Sequence, residues 1–162
     1  MSDLNKVLVI VIIAILAFVL QMYVLNDLTL WGTKANIFLV IVVALSIWVK
    51  QNITIPFVFV IGLFSDLIFT YTIGKGLVTY LVIMTLIMYT SKFYNKQNIG
   101  VVIAIMAVAT IITEDIFWIF DGIKYSNFQN IFSVFGMSLK QMVLNVLLQV
   151  LCIKIFSKLS EK

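Results

Sequence analysis

The chain has 162 residues, of which 63% are hydrophobic and only 11% are charged, and its net charge is +4. A soluble domain is nearer half apolar and a quarter charged, so this composition excludes a water-soluble globular protein. It predicts an all-α polytopic membrane protein. Almost every residue falls in an apolar run or a short connection, so a single integral membrane domain, residues 1–162, accounts for the chain.

Several kinds of chemistry are missing from the sequence. The chain has no histidine, which excludes a Ser–His or Cys–His catalytic pair. Cys152 is the only cysteine, which excludes an intrachain disulfide and a cysteine-based metal cluster. The lysines lie at the edges of apolar runs, where they set topology and touch lipid headgroups rather than nucleic acid. We therefore expect a protein that is not an enzyme and that has no metal, no cofactor and no nucleic-acid partner.

Six apolar runs predict six transmembrane helices, at about residues 7–24, 37–49, 55–69, 77–89, 99–119 and 131–156. The second run is short and could instead be re-entrant. Trp31 and Trp48 bracket it as interface anchors do, which favours a full span. In the third run, Thr54 is a suitable N-cap, and Pro56 falls in the first turn, where its missing N–H costs nothing.

The third predicted helix carries an acidic residue beside two small ones. Gly62, Ser65 and Asp66 are spaced at i, i+3 and i+4, so they share one face of a helix. Such a stripe indicates a surface that meets protein rather than lipid. The alternative is that Asp66 faces water, because it lies one turn from the end of the helix.

The fifth predicted helix carries a second stripe of this kind. Gly100 and Ala104 form a small-xxx-small pair, and the stripe continues at helical spacing to Glu114, which Asp115 follows. This pattern predicts a close helix-packing seam that ends in a carboxylate. The alternative is ordinary helix packing, with Glu114, Asp115 and Asp121 at the water interface.

The last predicted helix has a narrow polar stripe, made of Gln141, Asn145 and Gln149 at steps of four. Side-chain amides that faced lipid would leave their hydrogen-bonding groups unpaired, so the stripe is expected to face other helices or a partner. Two interpretations remain open, an interior role in holding helices together and a polar substrate pocket.

Six helices place both termini on one side of the membrane. With the N-terminus in the cytoplasm, seven of the eleven lysines are cytoplasmic and four are outside, which favours an N-in/C-in orientation. Asp66, Glu114 and Asp115 then lie toward the outer ends of their helices. We expect them to form an acidic patch between the third and fifth helices.

Residues 36–94 carry a resemblance to a known family. An apolar helix is followed by a helix that ends Gly62-Leu63-Phe64-Ser65-Asp66-Leu67, then by a turn with Gly74 and a helix with Tyr80. This order resembles MreD, the small integral membrane protein of the bacterial rod-shape and elongation machinery. The chain departs from the family before and after the second helix, where Lys34-Ala35-Asn36 and Lys50-Gln51 replace the usual proline and glycine.

The resemblance implies a non-catalytic scaffold in the bacterial cytoplasmic membrane that binds MreC and helps to position lateral peptidoglycan synthesis and maintain cell shape. It also implies contact, through the complex, with RodA, a class B penicillin-binding protein and MreB, besides membrane lipid. Gly62, Ser65, Asp66 and Gly74 are the implied structural or partner-contact residues. The family is similar in architecture to the substrate-binding subunits of energy-coupling-factor vitamin transporters, and such a subunit is the alternative function.

Overall fold

The computed structural model describes residues 3–25, 29–70 and 72–160, and it is all-α over these residues. The six helices are α1 (Asp3–Leu20), α2 (Ile37–Trp48), α3 (Gln51–Ser65), α4 (Lys75–Thr90), α5 (Ile99–Tyr125) and α6 (Ile131–Ser160). Two π-helical turns, Gln21–Leu25 and Asp66–Thr70, continue α1 and α3. The predicted number of helices and the predicted fold class are confirmed.

The helices differ in whether they are long enough to cross a bilayer. Four are both long and apolar enough, over Leu4–Leu25, Gln51–Phe69, Ile99–Tyr125 and Ile131–Ser157. The other two, α2 and α4, have 12 and 16 residues and are shorter than a standard span. The chain is therefore a polytopic membrane protein with four full-length spans. Six crossings and the N-in/C-in orientation stay predictions.

The start of α3 differs from the prediction. The helix begins at Gln51 after Lys50, so Thr54 is not its N-cap. The Thr54 hydroxyl instead donates to the carbonyls of Leu45 (3.3 Å) and Lys50 (3.2 Å), which ties the last turn of α2 to the first turn of α3. Pro56 lies inside the helix rather than in its first turn, and its missing N–H removes one hydrogen bond of the helix.

The end of α5 also differs from the prediction. The helix continues to Tyr125, past the predicted end at residue 119, and stops at Ser126, which has a left-handed conformation. Asp121 and Gly122 were expected in a loop and are helical. The extra turns carry Asp121 to the rim of the bundle, where it contacts the start of α4.

The shortest helix lies at the centre of the bundle. All twelve residues of α2 are buried, and its neighbours are α6, α4, α5, α3 and α1. Asn36 begins it by accepting the N–H of Leu39 (3.0 Å) on its side-chain oxygen. In contrast, α1 presents many exposed apolar side chains, Leu8, Ile12 and Ile15 among them, to the surrounding lipid. The fold is a helical bundle that encloses one short apolar helix.

Candidate functional site

Asp66, directly after α3, binds the N-terminal end of α4. Its carboxylate is 1% exposed and accepts hydrogen bonds from the backbone N–H groups of Gly74 (2.8 Å), Gly76 (2.5 Å) and Leu77 (3.1 Å). The first N–H groups of a helix have no partner within that helix, and negative charge is favoured at that end of its dipole. Asp66 therefore caps α4 from a neighbouring helix and does not face water.

Glycines allow α3 and α4 to approach closely beside this cap. A Cβ atom on Gly62 would lie 2.6 Å from the backbone of α4, and one on Gly76 would lie 2.8 Å from Asp66 Oδ1. Gly74 has a φ of +100°, a left-handed conformation that favours glycine. The stripe of Gly62, Ser65 and Asp66 thus contacts protein, and that protein is α4 of the same chain.

A buried polar network joins the start of α2 to three other helices. The Asn36 side-chain amide donates to the Tyr80 hydroxyl on α4 (3.2 Å). The Asn36 backbone N–H donates to Oδ1 of Asn145 on α6 (2.8 Å), and the Asn145 amide donates to the Thr110 hydroxyl on α5 (3.2 Å). Three helices therefore meet at Asn36, Asn145 adds α5 as a fourth, and the bonded residues are spread over more than a hundred residues of sequence.

Gln21 extends this network to the end of α1. Its Oε1 accepts the N–H of Ile37 (3.0 Å), and its Nε2 donates to the carbonyl of Ala35 (3.3 Å). Gln21 lies within the first apolar run and was not predicted to be a site residue. A lone amide in such a run is the available signal, because its polar groups would be unpaired in lipid.

The polar stripe of α6 enters the bundle, but its three members differ in their contacts. Asn145 and Gln149 are 0% exposed, whereas Gln141 is half-buried. Asn145 joins helices through the bonds described above. Both polar side-chain atoms of Gln149 lack a hydrogen-bond partner among the described residues. An interior contact role therefore fits Asn145, and Gln149 is a buried amide without such a contact.

A cavity of about 420 Å³ opens at the end of the bundle where α4 begins. Lys75 Nζ lies 2.8 Å from both carboxylate oxygens of Asp121 and 4.5 Å from the centre of the Phe117 ring. Glu114 is the third charged residue of the lining and interacts with Lys75. The rest of the lining is aromatic, polar or apolar: Trp118, Gly122, Tyr125, Asn127, Gln129, Val134 and Met137.

A smaller cavity, of about 190 Å³, shares Phe117 with the first. It is lined by members of the polar network, Gln21, Asn36 and Tyr80, and by Gln141. The two cavities present amides, a phenol, aromatic rings and a charged cluster at one end of the molecule. Such a lining can hold a polar solute or a polar side chain of a partner. Over residues 3–25, 29–70 and 72–160, no group of three potential ligand side chains could hold a metal ion.

Of the three acidic residues expected to form one patch, Glu114 interacts with Asp115, its neighbour in sequence, whereas Asp66 has a different role. Glu114 lines the larger cavity, whereas Asp66 is occupied by the α4 cap and lines neither cavity. Asp115 is exposed on α5 and also lines neither cavity. The acidic neighbour of Glu114 in the cavity is Asp121. Asp66 lies on the side of α3 that faces the start of α4, and its carboxylate accepts the backbone N–H groups there.

Gly100 and Ala104 do not form the helix contact expected of them. Both are exposed, and a Cβ atom on Gly100 would meet only the side-chain oxygen of Asn98, at 3.3 Å. Ala104 lines an apolar groove of about 440 Å³ between α4 and α5. The prediction of a close helix-packing seam is wrong within this chain. The small side chains leave an open groove, and no described helix packs its backbone into it.

Comparison of the chain with protein-family models, with curated proteins and with solved structures finds no match.

Proposed function

We propose that this chain is a non-catalytic scaffold subunit of the bacterial cell-elongation complex, located in the cytoplasmic membrane. In this role it binds the single-pass protein MreC and helps to position lateral peptidoglycan synthesis. RodA, a class B penicillin-binding protein and the MreB filament are reached through the complex. The proposal treats the chain as an MreD-like protein.

The observation that carries the proposal is the joint use of the residues on which the resemblance is based. Gly62 permits close contact of α3 with α4, Asp66 caps α4, and Gly74 turns the chain into the cap. These three residues, which lie within a stretch of thirteen, thus all stabilise the contact between α3 and α4. A short motif with a shared physical role supports a resemblance better than isolated matches in apolar sequence do.

The decisive experiment is purification of the full chain, with an affinity tag, from its own cells in mild detergent. We expect MreC and a class B penicillin-binding protein to co-elute. A tagged polytopic protein of the same membrane, expressed at the same level, is the control. Recovery without either protein, while the control retains its own partners, would contradict the scaffold role.

A second function is favoured by the 420 Å³ cavity, namely the substrate-binding subunit of an energy-coupling-factor vitamin transporter. Its Lys75, Glu114 and Asp121 side chains, beside Trp118 and Tyr125, form a setting that suits a small polar solute. Under this alternative an energy-coupling ATPase module co-elutes with the chain. A water-soluble vitamin then raises the midpoint of thermal unfolding by mass action, and Glu114→Gln reduces that shift. No shift with any vitamin at saturating concentration would count against it.

A further inference from the structure

The end of the bundle opposite the Asp66 cap has a different charge balance. Lysines occur there near the start of α1, between α2 and α3, between α4 and α5, and near the end of α6: Lys6, Lys50, Lys92, Lys96, Lys154 and Lys158. Within the described part of the chain, the only acidic residue at this end is Asp3. This end therefore attracts anions, whereas the opposite end carries both signs of charge.

A cavity of about 610 Å³ lies at this basic end. It is bounded by the connection between α4 and α5, the last residue of α2, the start of α5 and the last turns of α6. Its lining consists of Trp48, Tyr94, Asn95, Lys96, Gln97, Ile99, Val102, Ile153 and Ser157. No acidic side chain belongs to this lining.

The lining is divided into an apolar floor and a polar rim. Val102 is buried and Ile153 is partly buried, whereas Asn95, Lys96 and Gln97 are exposed. Burial raises the pKa of the Tyr94 phenol, because a phenolate would be desolvated there. That ring is therefore uncharged at neutral pH and does not repel an anion. The cavity combines one cation, two amides and an apolar floor, a pattern that suits an amphipathic anion.

Trp48 adds a hydrogen-bond donor to this lining. Its side chain is only 8% exposed, and its indole N–H can donate a hydrogen bond but cannot accept one. The indole nitrogen makes no hydrogen bond to any described residue and is not one of their buried unpaired atoms, so it is accessible to a ligand.

We propose that this cavity binds the phosphate-bearing headgroup of an anionic phospholipid. The Lys96 ammonium, the amides of Asn95 and Gln97 and the indole N–H of Trp48 face the headgroup, and the apolar floor receives the first part of an acyl chain. Basic pockets between membrane helices bind anionic headgroups in this way. A free phosphate ion carries the same charge, but it would leave the apolar floor and most of the volume unused.

Tryptophan quenching by lipids brominated on the acyl chain tests this site directly. Trp31→Phe and Trp118→Phe leave Trp48 as the only indole in the full-length chain, reconstituted in nanodiscs. We expect brominated phosphatidylglycerol to reach half-maximal quenching at a mole fraction about fivefold lower than brominated phosphatidylcholine does, the effect of about one lysine at a membrane surface. Equal quenching by the two lipids would overturn the proposal.

Substitutions at two lysines of the same loop separate the site from general surface charge. Lys96→Gln should remove the preference for the anionic lipid, and Lys96→Glu should reverse it. Lys92→Gln, which changes an exposed lysine that does not line the cavity, should retain it. An equal loss in the Lys92 variant would refute the site. Protection from quenching by inorganic phosphate at millimolar concentration would show a free anion as the ligand and would refute the lipid assignment.

Discussion

Asn145 and Gln149 lie about one turn apart on α6, and both are fully buried. Asn145 bonds to the Asn36 backbone and to the Thr110 hydroxyl, whereas Gln149 bonds to no described residue. An interhelical hydrogen bond in a membrane protein stabilises by about 0.6–2 kcal/mol. A buried amide left unpaired costs about 1–3 kcal/mol. Two similar side chains therefore have opposite effects on the stability of the bundle.

Replacing Gln149 by methionine should stabilise the protein. Methionine fills a similar volume and has no donor to leave unpaired, so we expect a gain of about 1–2 kcal/mol. The measurement is the midpoint of thermal unfolding in detergent, which should rise by about 2–8 °C for a chain of this size. Asn145→Leu is the matched control and should lower the midpoint. A lower midpoint for Gln149→Met would show that the amide has a partner after all, such as an internal water.

At the scale of helices, the long apolar runs and their polar ends predicted all six elements. In the structure Asn36 is the N-cap of α2, a position that asparagine favours, and Gly74 is the N-cap of α4. The end of α5 was placed too early because an aspartate and a glycine usually indicate a loop. Those residues are helical here, and Asp121 pairs with Lys75 across the bundle.

The site was less predictable than the elements. Helical spacing placed Gly62, Ser65 and Asp66 on one face of α3. It could not show that this face packs against the start of α4. The pairs Asp66–Gly76 and Asn36–Asn145 depend on how helices pack, and no local pattern encodes that. The stripe at Gly100 and Ala104 shows the reverse case, since its spacing suits close packing but no helix among the described residues packs closely against it.

The α3–α4 connection should depend strongly on Asp66. Asp66→Ala removes an acceptor from three buried or partly buried N–H groups and should destabilise the protein by more than about 2 kcal/mol. Thermal unfolding in detergent should show a midpoint lower by at least about 4 °C. Asp115→Ala removes the same charge from an exposed position and should change the midpoint by less than about 2 °C. Equal shifts for the two variants would contradict the capping role.

For the whole molecule, the uneven charge of the two ends predicts its orientation. The end of the bundle that is rich in lysine should lie in the cytoplasm. Residue 92 lies at that end and should be inside, whereas residue 124 lies at the opposite end and should be outside. Lys92→Cys and Lys124→Cys, each with Cys152→Ser, can be treated with a membrane-impermeant maleimide. In intact cells only the variant at position 124 should react, and the variant at 92 should react after permeabilisation. The opposite pattern would reverse the orientation, and reaction of both in intact cells would exclude a single crossing by α5.

The central helix α2 is only about 18 Å long, whereas the hydrocarbon layer of a bilayer is about 30 Å thick. One of the cavities described above lies at each end of α2: Asn36 lines the cavity at its start, and Trp48 lines the cavity at its end. The helix by itself therefore covers only part of that thickness, and a cavity lies near each of its ends. Its twelve buried side chains form the apolar partition between the two cavities.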